Sequence, residues 1–192
     1  MVIHALRDLP WIGEDPLFDL ANTVLLGAGP GGSDVDVLAD PPLLARWRAL
    51  ADHRLRDQPL EDLLTWRTLI RAGLATRADH GGSAVVTEPL RDELNQLARV
   101  APVAFQLNPD GHLDQLDHGG TIAAVLARET LVLIAGSQAQ LLRRCPAPSC
   151  GMFYLARRRD QNWCTVGCGN RARAARRRPP GSAGPATPGV SG

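Results

Sequence analysis

Residues 145–171 read CPAPSCGMFYLARRRDQNWCTVGCGNR. All four cysteines of the 192-residue chain fall in this stretch, as C-x4-C-x13-C-x3-C. A short gap lets one turn present two thiolates to a single ion. A second close pair, after an excursion, completes a tetrahedron; this is zinc chemistry, with Zn–S of ~2.3 Å. Pro146 and Pro148 fix φ in the first gap, which reads as a turn. Phe153 and Tyr154 read as extended, and Trp163 directly precedes the third cysteine. These aromatics are expected to cover the site. So small a module has almost no core of its own, so the metal supplies much of its folding energy. Buried free thiols, an iron–sulfur centre and a redox-sensing thiol set are the competing readings. Catalytic zinc is disfavoured, because four thiolates leave no open coordination position. The expectation is one structural Zn2+ held by Cys145, Cys150, Cys164 and Cys168.

Charge is divided about this stretch. The formal net charge is +1. Residues 1–142 hold 11 Arg against 19 acidic residues, and residues 143–178 hold 10 Arg against Asp160 alone. A body of charge −8 thus precedes a segment of charge +9. The body repels polyanions and the segment attracts them. All 21 basic residues are Arg. Together with abundant Ala, Gly and Pro this reads as GC-rich bacterial coding, so the clustering of Arg carries meaning and its total does not. Ala and Arg favour a helix from Gly169 to Arg178, stopped by Pro179 and Pro180, with Ala172 and Ala175 as a small packing face. Arg157, Arg158 and Arg159 lie in the excursion; Arg171, Arg173, Arg176, Arg177 and Arg178 lie on that helix. A metal tying both segments together makes one basic surface suited to a phosphate backbone. Docking on the acidic body, or on an acidic protein, is the alternative.

The residues WCTVGCGNRARA, with the C-x4-C pair upstream, resemble the CGNR zinc finger of bacterial proteins, named for the tetrapeptide that Cys168, Gly169, Asn170 and Arg171 form here. The resemblance implies the four cysteines as ligands, Asn170 and the neighbouring arginines as a nucleic-acid face, and a stress-linked transcription regulator. One departure is Leu155-Ala156 after the aromatic pair, where an acidic residue is common in the family. Upstream, FDLANTVLLGAG from Phe18 and DPPLLARWRAL from Asp40 resemble the ABATE domain that usually precedes this finger.

The body reads as mostly helical, making the whole mainly α with a small β-hairpin, an α+β chain. Phe18–Leu26 reads as a short helix, followed by a mobile glycine-rich loop from Gly27 to Gly32 that lacks the Lys-Ser/Thr of a phosphate-cradling loop. Asp40-Pro41-Pro42 is a helix start, with Leu43, Trp47 and Leu50 on one face. Leu60 to Leu74 predicts a second helix, ended near Gly81-Gly82, and Leu90, Leu94 and Leu97 mark a third. Residues 102–107 and 112–116 flank Asn108-Pro-Asp-Gly111 as a hairpin. Residues 121–144 read as the longest helix, about 35 Å, running rigidly into Cys145. Asp19, Asn22 and Thr23 are polar on an apolar segment. They either line a small-molecule pocket or make buried structural hydrogen bonds.

The organisation expected is a helical body over 1–142, a zinc finger over 143–178 and a disordered tail over 179–192. No apolar run approaches the ~20 residues of a spanning helix. Arg7, Asp8 and Pro10 stand where the apolar run of a secretory leader belongs, which predicts cytoplasmic residence. No metalloprotease, nucleophile-elbow or dinucleotide motif occurs, and the five His have no metal spacing, so no enzyme is expected. Aromatic content is only 4%, which favours duplex DNA over a single-strand or RNA partner. A reader this small predicts a homodimer for tight specificity. The sequence supports no particular small-molecule effector. An RNA-binding zinc-ribbon-like protein and a protein-interaction or redox-sensing module are the alternative functions.

Overall fold

A computed structural model of the chain describes residues 9, 11–13, 15–79, 85–117 and 119–177. Arg178, the 179–192 tail, the 81–82 helix stop and three of the five His (4, 80 and 118) lie outside the described residues.

The first helix, α1 (Pro16–Ala21), has Pro16 at its first turn and Asp15 as N-cap, whose side chain accepts from the Leu17 and Phe18 N–H groups. It stops at Asn22, short of the expected Phe18–Leu26 helix. The chain then turns into β1 (Val24–Leu25), paired antiparallel with β2 (Val35–Asp36). The glycine-rich loop joins these two strands. It is tied to itself: the Gly27 N–H donates to Asp34 at 2.8 Å and the Gly29 N–H to the Ser33 carbonyl at 2.7 Å.

Helix α2 (Pro41–Leu50) begins as expected, with Asp40 accepting from the Leu43 N–H. Trp47 is fully buried and its indole N–H donates to the Asp19 carbonyl at 3.1 Å, pinning α2 on α1. The short α3 (His53–Arg56) follows. The longest helix among the described residues is α4 (Leu60–Ala78); α5 (Glu88–Ala98) and α6 (Ile122–Ala135) pack against one another, and α6 also packs on α4. Between α5 and α6 stands the antiparallel hairpin β3 (Val103–Leu107) and β4 (Leu113–Asp117), turned at Gly111.

The run over 121–144 does not stay helical. Helix α6 ends at Gly136, which takes an extended conformation. A 3-10 turn (Ala139–Leu141) and strand β5 (Leu142–Arg144) carry the chain to Cys145. Strand β5 pairs with β6 (Phe153–Leu155), and α7 (Val166–Arg177) closes the described chain. Rigid coupling through one long helix is therefore corrected; Gly136 interrupts the ladder, and the coupling is lateral.

One buried apolar cluster runs through both halves, from Leu17, Leu20, Trp47 and Leu63 to Leu142, Cys145, Phe153 and Cys168. Asn22 holds the seam. Its side-chain NH2 donates to the Phe153 carbonyl at 3.0 Å, and its oxygen accepts from the Phe153 N–H at 2.7 Å. The amide thus acts as a strand partner for a buried residue of β6. Beside it, the Leu26 N–H donates to the Cys150 carbonyl and the Ser149 hydroxyl to the Gly27 carbonyl. The Arg71 and Arg144 guanidinium groups lie 5.3 and 5.2 Å from the Phe153 ring centroid, and Arg144 pairs with Asp79 at 2.7 Å.

Buried polar groups around α1 are nearly all paired. Arg67 forms a two-pronged ion pair with Asp36 and donates to the Thr23 hydroxyl at 3.1 Å. Burial alone raises the Asp36 pKa, but the Arg67 hydrogen bonds and charge outweigh it and hold the carboxyl low. Asp19 differs. It is 1% exposed, accepts from the Gly13 N–H with one oxygen and has no partner for the other. Burial pushes its pKa up from 3.8 to about 7, against the pull of the Gly13 N–H.

Two consequences are measurable. The folded chain keeps a proton on Asp19 that the unfolded chain loses above pH 3.8. Stability contributed by that proton is complete below pH 3.8 and lost as pH rises through about 7. Asp19→Asn should flatten the fall in urea midpoint across this window; an unchanged pH dependence contradicts the account. Gly151 has φ +75°, and a Cβ there meets Leu26 Cγ at 2.5 Å. Gly151→Ala should cost about 2–4 kcal/mol in denaturant unfolding, and a neutral result contradicts the close seam.

Candidate metal centre

The first pair of cysteines is set by a tight turn at the end of β5. The Cys145 N–H donates to the Met152 carbonyl at 2.8 Å, and the Gly151 N–H returns to the Cys145 carbonyl at 3.2 Å. Positive φ at Ser149 (60°) and Gly151 (75°) swings Cys150 back toward Cys145. The second pair sits at the start of α7. Thr165 caps the helix, its hydroxyl accepting from the Cys168 N–H at 3.2 Å. The helix therefore starts at Val166, three residues before the expected Gly169, and Cys168 lies in its first turn. Ala172 is buried as expected; Ala175 is exposed, so the packing face is narrower than its spacing promised.

The four sulfurs lie within 4.8 Å of one another. Cys150 and Cys164 are 3.7 Å apart, Cys164 and Cys168 3.3 Å, and Cys168 and Cys150 3.7 Å. A disulfide needs ~2.05 Å. A zinc tetrahedron with ~2.3 Å bonds has edges of about 3.8 Å. The edges among Cys150, Cys164 and Cys168 are close to this, Cys145 lies within 4.8 Å of each, and the donor set fits zinc. Cys145, Cys150 and Cys168 are buried and Cys164 half-buried. With four thiolate ligands and no open position, the zinc supplies folding energy and a fixed geometry. Hydrogen bonds from Cys145, Cys150 and Cys164 pull the Cys168 thiol below its ordinary pKa.

The CGNR tetrapeptide has a distinct contact at each position. Cys168 is a ligand. Gly169 leaves room for Trp163, whose ring carbon Cε3 stands 3.3 Å from where a Cβ would lie. Asn170 is exposed and its side-chain oxygen accepts from Arg173 at 2.6 Å; Arg173 in turn lies 5.8 Å from the Trp163 ring centroid. Arg171, expected on the nucleic-acid face, is half-buried and turns inward. Its guanidinium donates to Cys168 Sγ at 3.0 Å and to the Pro148 carbonyl at 3.2 Å. One side chain thus links the helix, a ligand sulfur and the opposite turn. It also offsets part of the double negative charge of a four-thiolate zinc.

The other arginines divide in the same way. Arg143 donates to the Gln140 and Leu142 carbonyls, and Arg144 serves the seam. Arg157, Arg158, Arg159, Arg173, Arg176 and Arg177 are exposed. Arg158 makes a 3.7 Å pair with Asp160 in open solvent. Gln161, which sequence reasoning passed over, shapes the excursion. It accepts from the Arg157 N–H and the Tyr154 hydroxyl, and donates to the Trp163 carbonyl. Asn22 and Thr23 direct their polar atoms to the protein itself, and Asp19 is buried with its carboxyl on the Gly13 N–H. An open groove of about 600 Å³ lies elsewhere, lined by residues such as Leu64, Thr68, Ala72 and Leu90, and none of the three contributes to it.

Fold and site together define a helical protein carrying a cysteine-ligated zinc finger. The family model ABATE, described as "Putative stress-induced transcription regulator", matches residues 14–144. The model described as "CGNR zinc finger" matches residues 142–179. The first covers well over half of the chain, which belongs to the ABATE family and bears a CGNR zinc finger. No curated protein matches the chain. Among the described residues, no helix is long and apolar enough to cross a membrane.

Removing the Arg171 guanidinium should weaken zinc retention without touching a ligand. Arg171→Ala is expected to lose zinc to a chelator at 10–100-fold lower concentration, a span of about 1.4–2.7 kcal/mol. Arg176→Ala should behave as wild type. Equal retention in all three proteins contradicts the role given to Arg171.

Proposed function

We propose that the chain is a DNA-binding transcriptional regulator of the bacterial cytoplasm, acting as a homodimer. Residues 143–178 form the reader and residues 1–142 the sensing or dimerising body. The observation that carries this reading is the exposure of Arg157, Arg158, Arg159, Arg176 and Arg177 on two segments joined through one metal centre. Guanidinium groups on backbone segments fixed in this way meet phosphates with less of the chain left to order, and the acidic body keeps the polyanion to one end. Asn170 and Arg173 stand on the same helix as an exposed polar pair beside Trp163. Binding, and not catalysis, is the activity assigned. The families matched are a regulator and a zinc finger. No effector is assigned to Asp19, Asn22 or Thr23: Asn22 and Thr23 bond the protein itself, and Asp19 is buried with one oxygen on the Gly13 N–H.

Duplex DNA is favoured over single strands because the finger's aromatics are committed to packing. Phe153 is buried in the seam, Tyr154 bonds Gln161 and Trp163 is half-buried beneath Arg173. Stacking on splayed bases needs such rings free.

Fluorescence anisotropy on labelled duplex, single-stranded DNA and RNA across a salt series tests this. Five phosphate contacts predict a slope of log K against log salt of about −4 to −5 for the duplex. Replacing Arg157, Arg158 and Arg159 with Ala should make that slope shallower by about 3. No binding at low salt, or tighter binding to single strands or RNA, contradicts the proposal.

A further inference from the structure

Helix α7 has two faces. Cys168 and Ala172 are buried, and Arg171 turns inward to a ligand sulfur. Val166, Asn170, Arg173 and Arg177 recur at i, i+4, i+7 and i+11, which puts them on one stripe of a helix with 3.6 residues per turn. All four are exposed. The helix carries no acidic residue, so the charge of this stripe is entirely positive.

Arg173 is held in a way that suits a defined partner. Its Nη2 donates to Asn170 Oδ1 at 2.6 Å, and its guanidinium carbon lies 5.8 Å from the Trp163 ring centroid. Its Nη1 comes within 3.4 Å of the place a Cβ would take on Gly169, so the bare backbone leaves the guanidinium room to lie along the helix. An amide oxygen, an aromatic ring and a glycine thus set the plane of one exposed guanidinium. Arg158, by contrast, makes a 3.7 Å pair with Asp160 in open solvent. A phosphate accepts a cation over a broad range of angles, whereas a base edge needs a planar fork at a set angle. Setting that angle beforehand removes rotamer entropy that the contact would otherwise cost.

We propose that Arg173 is the base-reading residue of the finger: α7 lies in the major groove of duplex DNA, and the Arg173 guanidinium donates to O6 and N7 of a guanine. Asn170 and Trp163 are its positioning residues. The inference rests on the duplex-DNA reading above and assigns its specificity determinant. Guanine offers two acceptors side by side in that groove, while adenine sets a donor beside its N7 and cytosine presents a donor; a guanidinium, which only donates, pairs fully with guanine alone. Asn170 takes one of the five guanidinium N–H groups and leaves enough for both bonds. Val166, 80% exposed in the first turn of the same stripe, suits a base edge better than a phosphate, since a thymine methyl is an apolar contact. Arg157, Arg158, Arg159, Arg176 and Arg177 remain as the phosphate contacts that fix register.

The test is selection of bound sequences from a randomised duplex library, then anisotropy on the selected duplex, with the zinc-loaded full chain throughout. Wild type should select a site with a fixed guanine. Replacing that guanine with 7-deazaguanine, which lacks the N7 acceptor, should weaken wild-type binding about ten-fold. R173A should bind both duplexes alike, at the weaker affinity, with zinc content and salt slope unchanged. R173Q, a second variant with a planar polar end, should move the preference at that position from guanine to adenine. N170A should lose part of the discrimination and keep its affinity for the 7-deazaguanine duplex, a split that damage to the fold would not give. R176A should weaken both duplexes alike and make the salt slope shallower by about 1. No duplex binding at low salt overturns the DNA reading and this inference together. Duplex binding in which R173A or R173Q keeps the wild-type preference for guanine overturns the Arg173 assignment and leaves the DNA reading standing. Wild-type binding that ignores 7-deazaguanine at every selected guanine does the same, and does so even if the variants lose zinc.

Discussion

Four sulfurs within 4.8 Å of one another constrain the described chain from Leu142 to Arg177. Cys145 and Cys150 come from the turn after β5, Cys164 from the bend before α7 and Cys168 from its first turn. Between them runs a 13-residue excursion rich in arginine. Like charges and a small core leave such a segment without a fold of its own. Holding all four thiolates on one ion closes that loop and sets the direction of α7. Arg171 strengthens the closure from outside, since it reaches a ligand sulfur and the facing turn at once.

The finger is also embedded in the protein. Its cysteines and Phe153 belong to the same apolar cluster as Trp47 and Leu63. Asn22 gives Phe153 both hydrogen bonds that a neighbouring strand would give. Leaving those two buried backbone groups unpaired costs about 1–3 kcal/mol each, so the seam is specific as well as apolar. It lies within the segment 22–27, a few residues from Asp19, whose pKa burial raises. Direct contacts, and not one long helix, thus join the α1 region to the metal-bearing turn.

Much of this was legible in the sequence. The cysteine spacing announced the metal because zinc geometry restricts spacing severely. Asp40-Pro41 announced α2 because capping is a local interaction, and Asn108 to Gly111 announced the hairpin turn for the same reason. What stayed hidden depends on distant partners. Residues 18–26 look helical by composition, but the strand pairing of Val24 with Asp36 and the Asn22 bridge to Phe153 end the helix early. Residues 121–144 look helical throughout except for Gly136, and one glycine is a weak signal against so many apolar residues. Arg171 reads like any arginine in a basic run. Only the fold shows that its neighbours at 173, 176 and 177 face solvent while it faces sulfur. Thr165, one residue past Cys164, was the available signal for the true start of α7.

Charge completes the design. The acidic body and the basic finger meet at a seam where Arg67, Arg71 and Arg144 are drawn inward, against Asp36, the Ala21 carbonyl and Asp79. Within the finger, the arginines left exposed are Arg157, Arg158 and Arg159 of the excursion and Arg173, Arg176 and Arg177 of α7. The direct test is to measure zinc by elemental analysis while following amide exchange over 145–177, before and after chelation. The account predicts one zinc per chain and protected amides that lose protection when the metal leaves, while α4 and α6 stay protected. Native protein without metal, yet with the same protection from Cys145 to the end of α7, would contradict it.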